Sequence, residues 1–373
     1  MIKKPLLLKI YESASMQRWN DQIRTIELIE LDKQAQKMIV AYIMGKCAES
    51  MENRNVNWIE IIEIGLFEMF KRITLTDLKP PLVDRIREDR ERYRELNRWV
   101  FERISPFTEE IGRDFNSRFK KYLTREEETF EKRIVSGAHF YVTEWEFDII
   151  KSANPRVYLV EEIAESNLRE RKKYSDLKCM KTFTGEKKLV EFADICGQLR
   201  FQQRWSHLYR IPKTSVLGHM LIVAILSLIF SYEAKLEEEN CINNYFTGLF
   251  HDLPEVLTRD IINPVKKSIK GLDELIKHYE AEEMEKKIYK LLPKIWHKDI
   301  RMFTENEFSD IDGRNGTLVK GADDLAAFIE AYLALKNGIK NENLIYAKKK
   351  LKKKYKSKVI EGINFGKIYA DFT

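Results

Sequence analysis

Two histidines and two aspartates, in the order His219, His251-Asp252, Asp323, are the residues of this chain best suited to do chemistry together. Imidazole nitrogens mixed with carboxylate oxygens suit Mn, Co, Ni, Fe or Zn, with Mg admitted, better than Ca. Four protein ligands leave two octahedral positions open, for water and a substrate oxygen. A metal ion placed there would acidify the water and polarise a phosphoryl oxygen. A His-Asp dipeptide alone means little, so the ordering carries the weight. Arg204-Trp205 precedes the first histidine by thirteen intervening residues, Glu255 follows His251-Asp252 after two, and Asp260-x-x-x-Pro264 follows after four more.

This string resembles the HD-domain metal-dependent phosphohydrolase superfamily and, within it, is most similar to the bacterial 5′-deoxynucleotidase group. The likeness spans residues 196–337. It rests on Arg204-Trp205, Ser215 through His219, His251 through Thr258, Asp260-x-x-x-Pro264-Val265-Lys266 and Lys320-Gly321-Ala322-Asp323. The resemblance implies an all-α fold and release of phosphate from nucleoside 5′-monophosphates, deoxyribonucleotides first. It implies that His219, His251, Asp252 and Asp323 ligate one divalent ion, and that Glu255 orients or deprotonates the attacking water. Arg204 would grip the phosphate with its planar fork, and Trp205 would pack on the sugar and disfavour a 2′-hydroxyl. Asp260 would hydrogen-bond near the sugar or steady the phosphate side, joining Glu255 and Asp252 in the catalytic group. One departure is Leu217-Gly218 before His219, where the family often carries Ala-Glu, so an acid that could support the histidine is missing. Two other readings keep different parts of the pattern. A dNTP triphosphohydrolase or phosphodiesterase keeps the metal and changes the substrate. A non-enzymatic nucleic-acid or nucleotide-binding protein keeps only the basic surface.

The elements that must position these residues read as amphipathic helices. Nine prolines and fifteen glycines in 373 residues leave little turn-rich sheet. Apolar spacing predicts helices over 26–44, 58–73, 272–292 and 319–336. Ser215 reads as the N-cap of a helix carrying His219 through Tyr232. Residues 233–244 read as a polar connection into a helix around 245–252, which Pro254 stops. Other histidines read as ordinary: His278 and His297 as surface or satisfied core, with His207, beside Trp205, left open.

The pattern also occurs twice. Arg18-Trp19 stands 186 residues before Arg204-Trp205, Gly65-Leu66-Phe67 stands 183 before Gly248-Leu249-Phe250, and Gly137-Ala138 stands 184 before Gly321-Ala322. Such order predicts two tandem HD-like helical modules, over 1–180 and 185–373, joined near 169–188 and packed as an intrachain pseudo-dimer. Matching Ile39-Val40-Ala41 to Ile222-Val223-Ala224 sets Gln36 opposite His219, with Glu68 opposite His251, Met69 opposite Asp252 and His139 opposite Asp323. That set is too poor to hold a metal. Arg18, Trp19 and Asp77 nevertheless persist, for packing in place of a partner subunit or, in the competing reading, for a regulatory nucleotide.

Composition sets the frame. Hydrophobic residues make up 44% and charged residues 33% of the chain, and no run reaches the ~20 apolar residues of a membrane span. Four scattered cysteines without Cys-x-x-Cys spacing suit a cytoplasmic protein with reduced thiols. The net charge of +6 comes from residues 348–358, with eight lysines and no acid. Leu351 and Tyr355 at helical spacing mark this run as a solvated helix face, so nucleic acid and membrane are not expected partners and further oligomerisation is left open.

Overall fold

The computed structural model describes residues 2–372 except 77, 125–127, 154–158, 262–264 and 266–268. Asp77, Pro264 and Lys266 of the motifs lie outside the described residues. The helices run α1 (Lys4–Tyr11), α2 (Glu30–Glu52), α3 (Trp58–Leu75), α4 (Pro80–Glu88), α5 (Arg90–Thr108), α6 (Arg113–Thr124), α7 (Phe130–Ala153), α8 (Val160–Lys172) and α9 (Lys178–Gly185). They continue as α10 (Lys187–Gln198), α11 (Val216–Glu233), α12 (Glu238–Phe250), α13 (Glu255–Thr258), α14 (Leu272–Glu283), α15 (His297–Thr304), α16 (Gly316–Lys336), α17 (Glu342–Tyr355) and α18 (Phe365–Ala370). Strands among the described residues are two small hairpins, Asp310–Ile311 with Arg314–Asn315 and Val359–Ile360 with Ile363–Asn364. The fold is all-α, as the sequence predicts.

Helix α11 is the axis of the C-terminal half. Ser215 caps it, its hydroxyl oxygen accepting from the Gly218 N–H at 2.8 Å. Its 18 residues are long and apolar enough to cross a membrane, with mean hydropathy 1.9, but 89% of them are buried inside the protein. A helix apolar on all sides belongs in a core, and α12, α16 and α2 pack around this one. That packing brings His219 on α11, His251 at the end of α12 and Asp323 on α16 toward one another.

Residues 233–244 correct the expected polar connection, because α12 already starts at Glu238. The polar side chains there hold the hairpin that leads into α16. Asn244 accepts from the Asn315 N–H at 2.8 Å, and Asn243 donates to the Gly313 carbonyl at 3.0 Å. The helix predicted over 272–292 is α14 followed by a π turn, Met284–Ile288, and a 3-10 turn, Tyr289–Leu291. Tyr355 is buried and the neighbouring lysines of α17 face outward, as the spacing predicts.

Local geometry recurs between the halves. Arg18 N–H donates to the Leu28 carbonyl at 2.7 Å, and Arg204 N–H to the Thr214 carbonyl at 3.0 Å. Isolated bridges join Gln17 with Ile29 and Gln203 with Ser215. Trp19 and Trp205 both take left-handed backbone angles, φ 53° and 58°. All these pairs, and the starts of α2 and α11, stand 186 residues apart, which sets Lys33, not Gln36, opposite His219. Apolar triplets mislead here because a slip of three residues turns a helix by about 300° and leaves nearly the same face inward. Gln36 instead accepts from the Arg200 guanidinium at 2.7 Å. One buried apolar cluster runs from Ile2 to Phe372, so the spans 1–180 and 185–373 share a core. Tyr11 of α1 donates to the Ala326 carbonyl of α16 at 2.9 Å, tying the first helix to the last third of the chain.

Gly248 marks the closest approach of α12 to α11. A Cβ there would lie 2.6 Å from the Ala224 nitrogen and 2.7 Å from its Cα, and backbone cannot step aside. Helix propensity alone would make Gly248→Ala stabilising by about 1 kcal/mol. Overpacking reverses the sign, and urea unfolding should show a loss of about 1–3 kcal/mol.

Candidate metal centre

His219, His251 and Asp252 each present a ligand atom within 4.8 Å of the other two. His251 Nδ1 donates to the Gly248 carbonyl at 2.9 Å. A carbonyl can only accept, so the Nε2 lone pair is free to face inward. His219 makes the same kind of anchor, its Nδ1 lying 3.3 Å from Glu330 Oε1. The Nε2 atoms then meet carboxylate oxygen: His251 Nε2 is 3.2 Å from Asp252 Oδ2, and His219 Nε2 is 4.0 Å from the same oxygen and 3.0 Å from Asp323 Oδ1. His251 Nε2 and Asp252 Oδ2 are buried without a hydrogen-bond partner. A cation placed between these two buried, unpartnered atoms would satisfy both. Each histidine is fixed through its other nitrogen, the usual support of a metal-ligating imidazole. The donor set fits a divalent ion.

Asp323 sits at the edge of this group. It touches His219, while its second oxygen is 2.5 Å from the Lys320 amino group. Burial alone would raise its carboxyl; Lys320 and His219 together hold it well below the ordinary carboxylate value. Burial would raise Asp252 as well, but His251 and Arg204 hold that carboxyl below its ordinary value. Arg204 lies over the cluster, Nη1 3.5 Å from Asp252 Oδ2 and 3.9 Å from Asp260 Oδ1, with its Nε buried and unpartnered. Glu255 is buried at the start of α13, one turn after His251. Trp205 donates Nε1–H to Glu330 Oε2 at 2.8 Å.

Glu330 joins the cluster without having stood among the residues expected from the sequence. It is 2% exposed and accepts from Trp205 and Thr214 while holding His219. The signal was its place seven residues, two helical turns, after Asp323, which puts both acids on one face of α16. The missing acid before His219 also has an explanation. A Cβ on Gly218 would lie 2.8 Å from Asp32 Oδ1, so a carboxylate from α2 occupies that space and accepts from the Ser215 hydroxyl at 2.6 Å. Burial pushes Asp32 up to about 6 against the pull of Arg200. Among the remaining histidines, His278 is exposed and pairs with Glu282, His297 faces the Leu292 carbonyl, and His207 is exposed.

Comparison with known protein families matches residues 196–364 to the HD domain. The C-terminal half of this chain is similar to the HD domain. It is 26% identical over 160 residues to a 5′-deoxynucleotidase of Photobacterium profundum, covering 42% of this chain and 80% of that protein. It is 27% identical over 158 residues to a 5′-deoxynucleotidase of Vibrio vulnificus, covering 42% and 79%. A 5′-deoxynucleotidase of Pectobacterium atrosepticum is 26% identical over 160 residues, covering 42% and 78%. Together the family match and these relatives indicate a hydrolase of the HD superfamily.

Charge in the HD domain generates a pH prediction. Burial, and then Arg204, would lower His219, but its hydrogen bonds with Asp323 and Glu330 outweigh both and push it up to about 9. In the metal-free protein this folded value lies above the unfolded ~6.5. The bound proton therefore stabilises the fold fully below about 6.5, and that stabilisation is lost as pH rises through about 9. Metal must displace the same proton. Calorimetric titration should show release of about one proton per ion, with affinity rising up to ~10-fold per pH unit until about 9. Glu330→Gln should weaken metal affinity ~10–100-fold, read by competition with a chromogenic chelator.

Proposed function

We propose that this protein releases inorganic phosphate from nucleoside 5′-monophosphates, with deoxyribonucleotides as the preferred class. The observation that carries the reading is the convergence of one ligand atom each from His219, His251 and Asp252 within 4.8 Å, beside a part-buried arginine whose Nε is buried and unpartnered. The names of the relatives support the substrate class. His219, His251 and Asp252 would hold one divalent ion, with Asp323 completing the set; Mn, Co, Ni, Fe, Zn and Mg all suit such ligands. When bound, it supplies Lewis-acid polarisation and a more acidic water.

The side chains divide the remaining work. Arg204 is held by Asp252 and Asp260 at 3.5 and 3.9 Å, looser than good ion pairs, so its guanidinium keeps donors for phosphate oxygens. Lys320, 2.5 Å from Asp323 Oδ2, brings a second cation to the rim. Glu255, buried near Arg204, takes the proton of the attacking water and can return it to the leaving 5′-oxygen. Trp205 forms a wall whose position is fixed by its left-handed backbone and its bond to Glu330. A rigid indole there leaves no room beside the sugar for a 2′-hydroxyl.

A phosphate-release screen over nucleotides with each of these ions tests the reading. Deoxynucleoside monophosphates should yield free phosphate, and Glu255→Gln should lower kcat ~10²–10⁴-fold. Trp205→Ala should bring ribonucleotide and deoxyribonucleotide rates within about tenfold of one another. Tripolyphosphate from a triphosphate, nucleotide from a diester, or activity unchanged in His251→Ala would each sink the proposal.

A further inference from the structure

The N-terminal half raises a separate question, because it keeps the arginine–tryptophan pair but not the ligands. Lys33, the residue opposite His219, is 1% exposed. Its amino nitrogen lies 3.0 Å from His139 Nε2 and 2.6 Å from Thr143 Oγ1. In the HD domain, His219 Nε2 lies at the same 3.0 Å from Asp323, the residue opposite His139. Burial and the Arg18 guanidinium drive Lys33 below its usual value. Lys37, 0% exposed, bonds to Glu68, the residue opposite His251, at 2.9 Å. Two lysine nitrogens thus fill the space between the helices that carry ligands in the other half.

The arginine is closed as well. Arg18 donates Nη1–H to Glu30 Oε2 and Nε–H to Glu146 Oε2, both at 2.8 Å. Glu146 is opposite Glu330 and accepts from Trp19 Nε1 at 3.0 Å, as Glu330 does from Trp205. Glu30, however, stands opposite Val216. Fully buried Glu30 therefore takes Nη1 of Arg18, while Nε, the nitrogen left unpartnered on Arg204, goes to Glu146. The frame recurs, and the chain supplies both of its ligands.

We propose that the N-terminal half is a second HD-type frame liganded by its own side chains. Lys33 fills the position that an ion takes in the other half, Glu30 fills the place of the phosphate on Arg18, and the half takes up neither metal nor nucleotide. It acts as a built-in second subunit. Asp32, one residue before Lys33, accepts from Ser215 and packs on Gly218, which fixes the start of the helix that bears His219. Arg200 returns the contact to Glu146 at 3.2 Å and Gln36 at 2.7 Å. This inference rests on the reading of the C-terminal site as a metal centre only for its comparison, and the experiment separates the two.

Metal content of the full chain, reloaded with manganese and desalted, should be one ion in the wild type and none in His251→Ala/Asp252→Ala. Two ions in the wild type, or one surviving in the double variant, overturns the proposal. Lys33→Ala should lower the melting temperature by more than about 5 °C. Ethylammonium should restore part of that loss and tetramethylammonium should not, because only the former can donate to His139 and Thr143. A variant as stable as the wild type, or one indifferent to ethylammonium, also overturns the proposal. No ion in the wild type, with amine rescue intact, would instead remove the metal reading of the HD domain and leave this one standing.

Discussion

Too many carboxylates are buried around two imidazoles, and the C-terminal half is organised about that excess. Asp252, Asp323 and Glu330 surround His219 and His251. Taking a carboxylate out of water costs several kcal/mol unless charge is returned to it locally. Arg204 and Lys320 return part from the rim. The rest has to come from a proton on His219 or from an ion between the ligands. The excess of carboxylate therefore favours a positive charge at this place.

Glu330 ties that demand to the substrate side. One carboxylate holds the His219 ring, the Trp205 indole and the Thr214 hydroxyl. The ligand and the proposed sugar wall cannot be moved independently, because a shift of the indole drags the acceptor that sets the histidine's tautomer. Thr214 lies in the strand-like segment whose carbonyl also receives the Arg204 N–H. The loop carrying the arginine and tryptophan is thus fastened to α16 and to the start of α11. This gives a physical reason for the sequence order: the Arg-Trp pair must precede the first histidine by enough residues to make one out-and-back excursion before the helix.

Much of this was legible before any coordinates. His219, His251-Asp252, Arg204-Trp205 and Ser215 carry chemistry or capping in their residue types, and their order survives in one chain. Asp323 was legible, though its contact with Lys320 rather than with every other ligand was not. Glu330 escaped because an acid in a long helix reads as solvent-facing; only its two-turn spacing from Asp323 hints otherwise. Asp32 escaped for a deeper reason. It acts across the two halves, on a helix 183 residues away, and no local pattern reports such a contact. The register of α2 against α11 was misread by three residues because apolar triplets look alike on either side of one helical turn, whereas hydrogen-bonded bridges do not.

The corrected register changes what the first half says about the second. With Gln36 opposite His219, the N-terminal half looks like a site that has merely decayed. With Lys33 there, the same buried arrangement has an amine where the HD domain calls for a cation, and Glu30 where it calls for an anion. A buried frame that loses its ligands must either collapse or be filled, since unsatisfied polar groups are costly in a core. Filling with side chains keeps the shape and removes dependence on metal supply. The shape matters because α2 is the surface against which α11 is set, and the Asp32–Ser215 bond fixes where α11 begins. On the proposal above, a filled first half lets the second gain and lose an ion against a fixed surface.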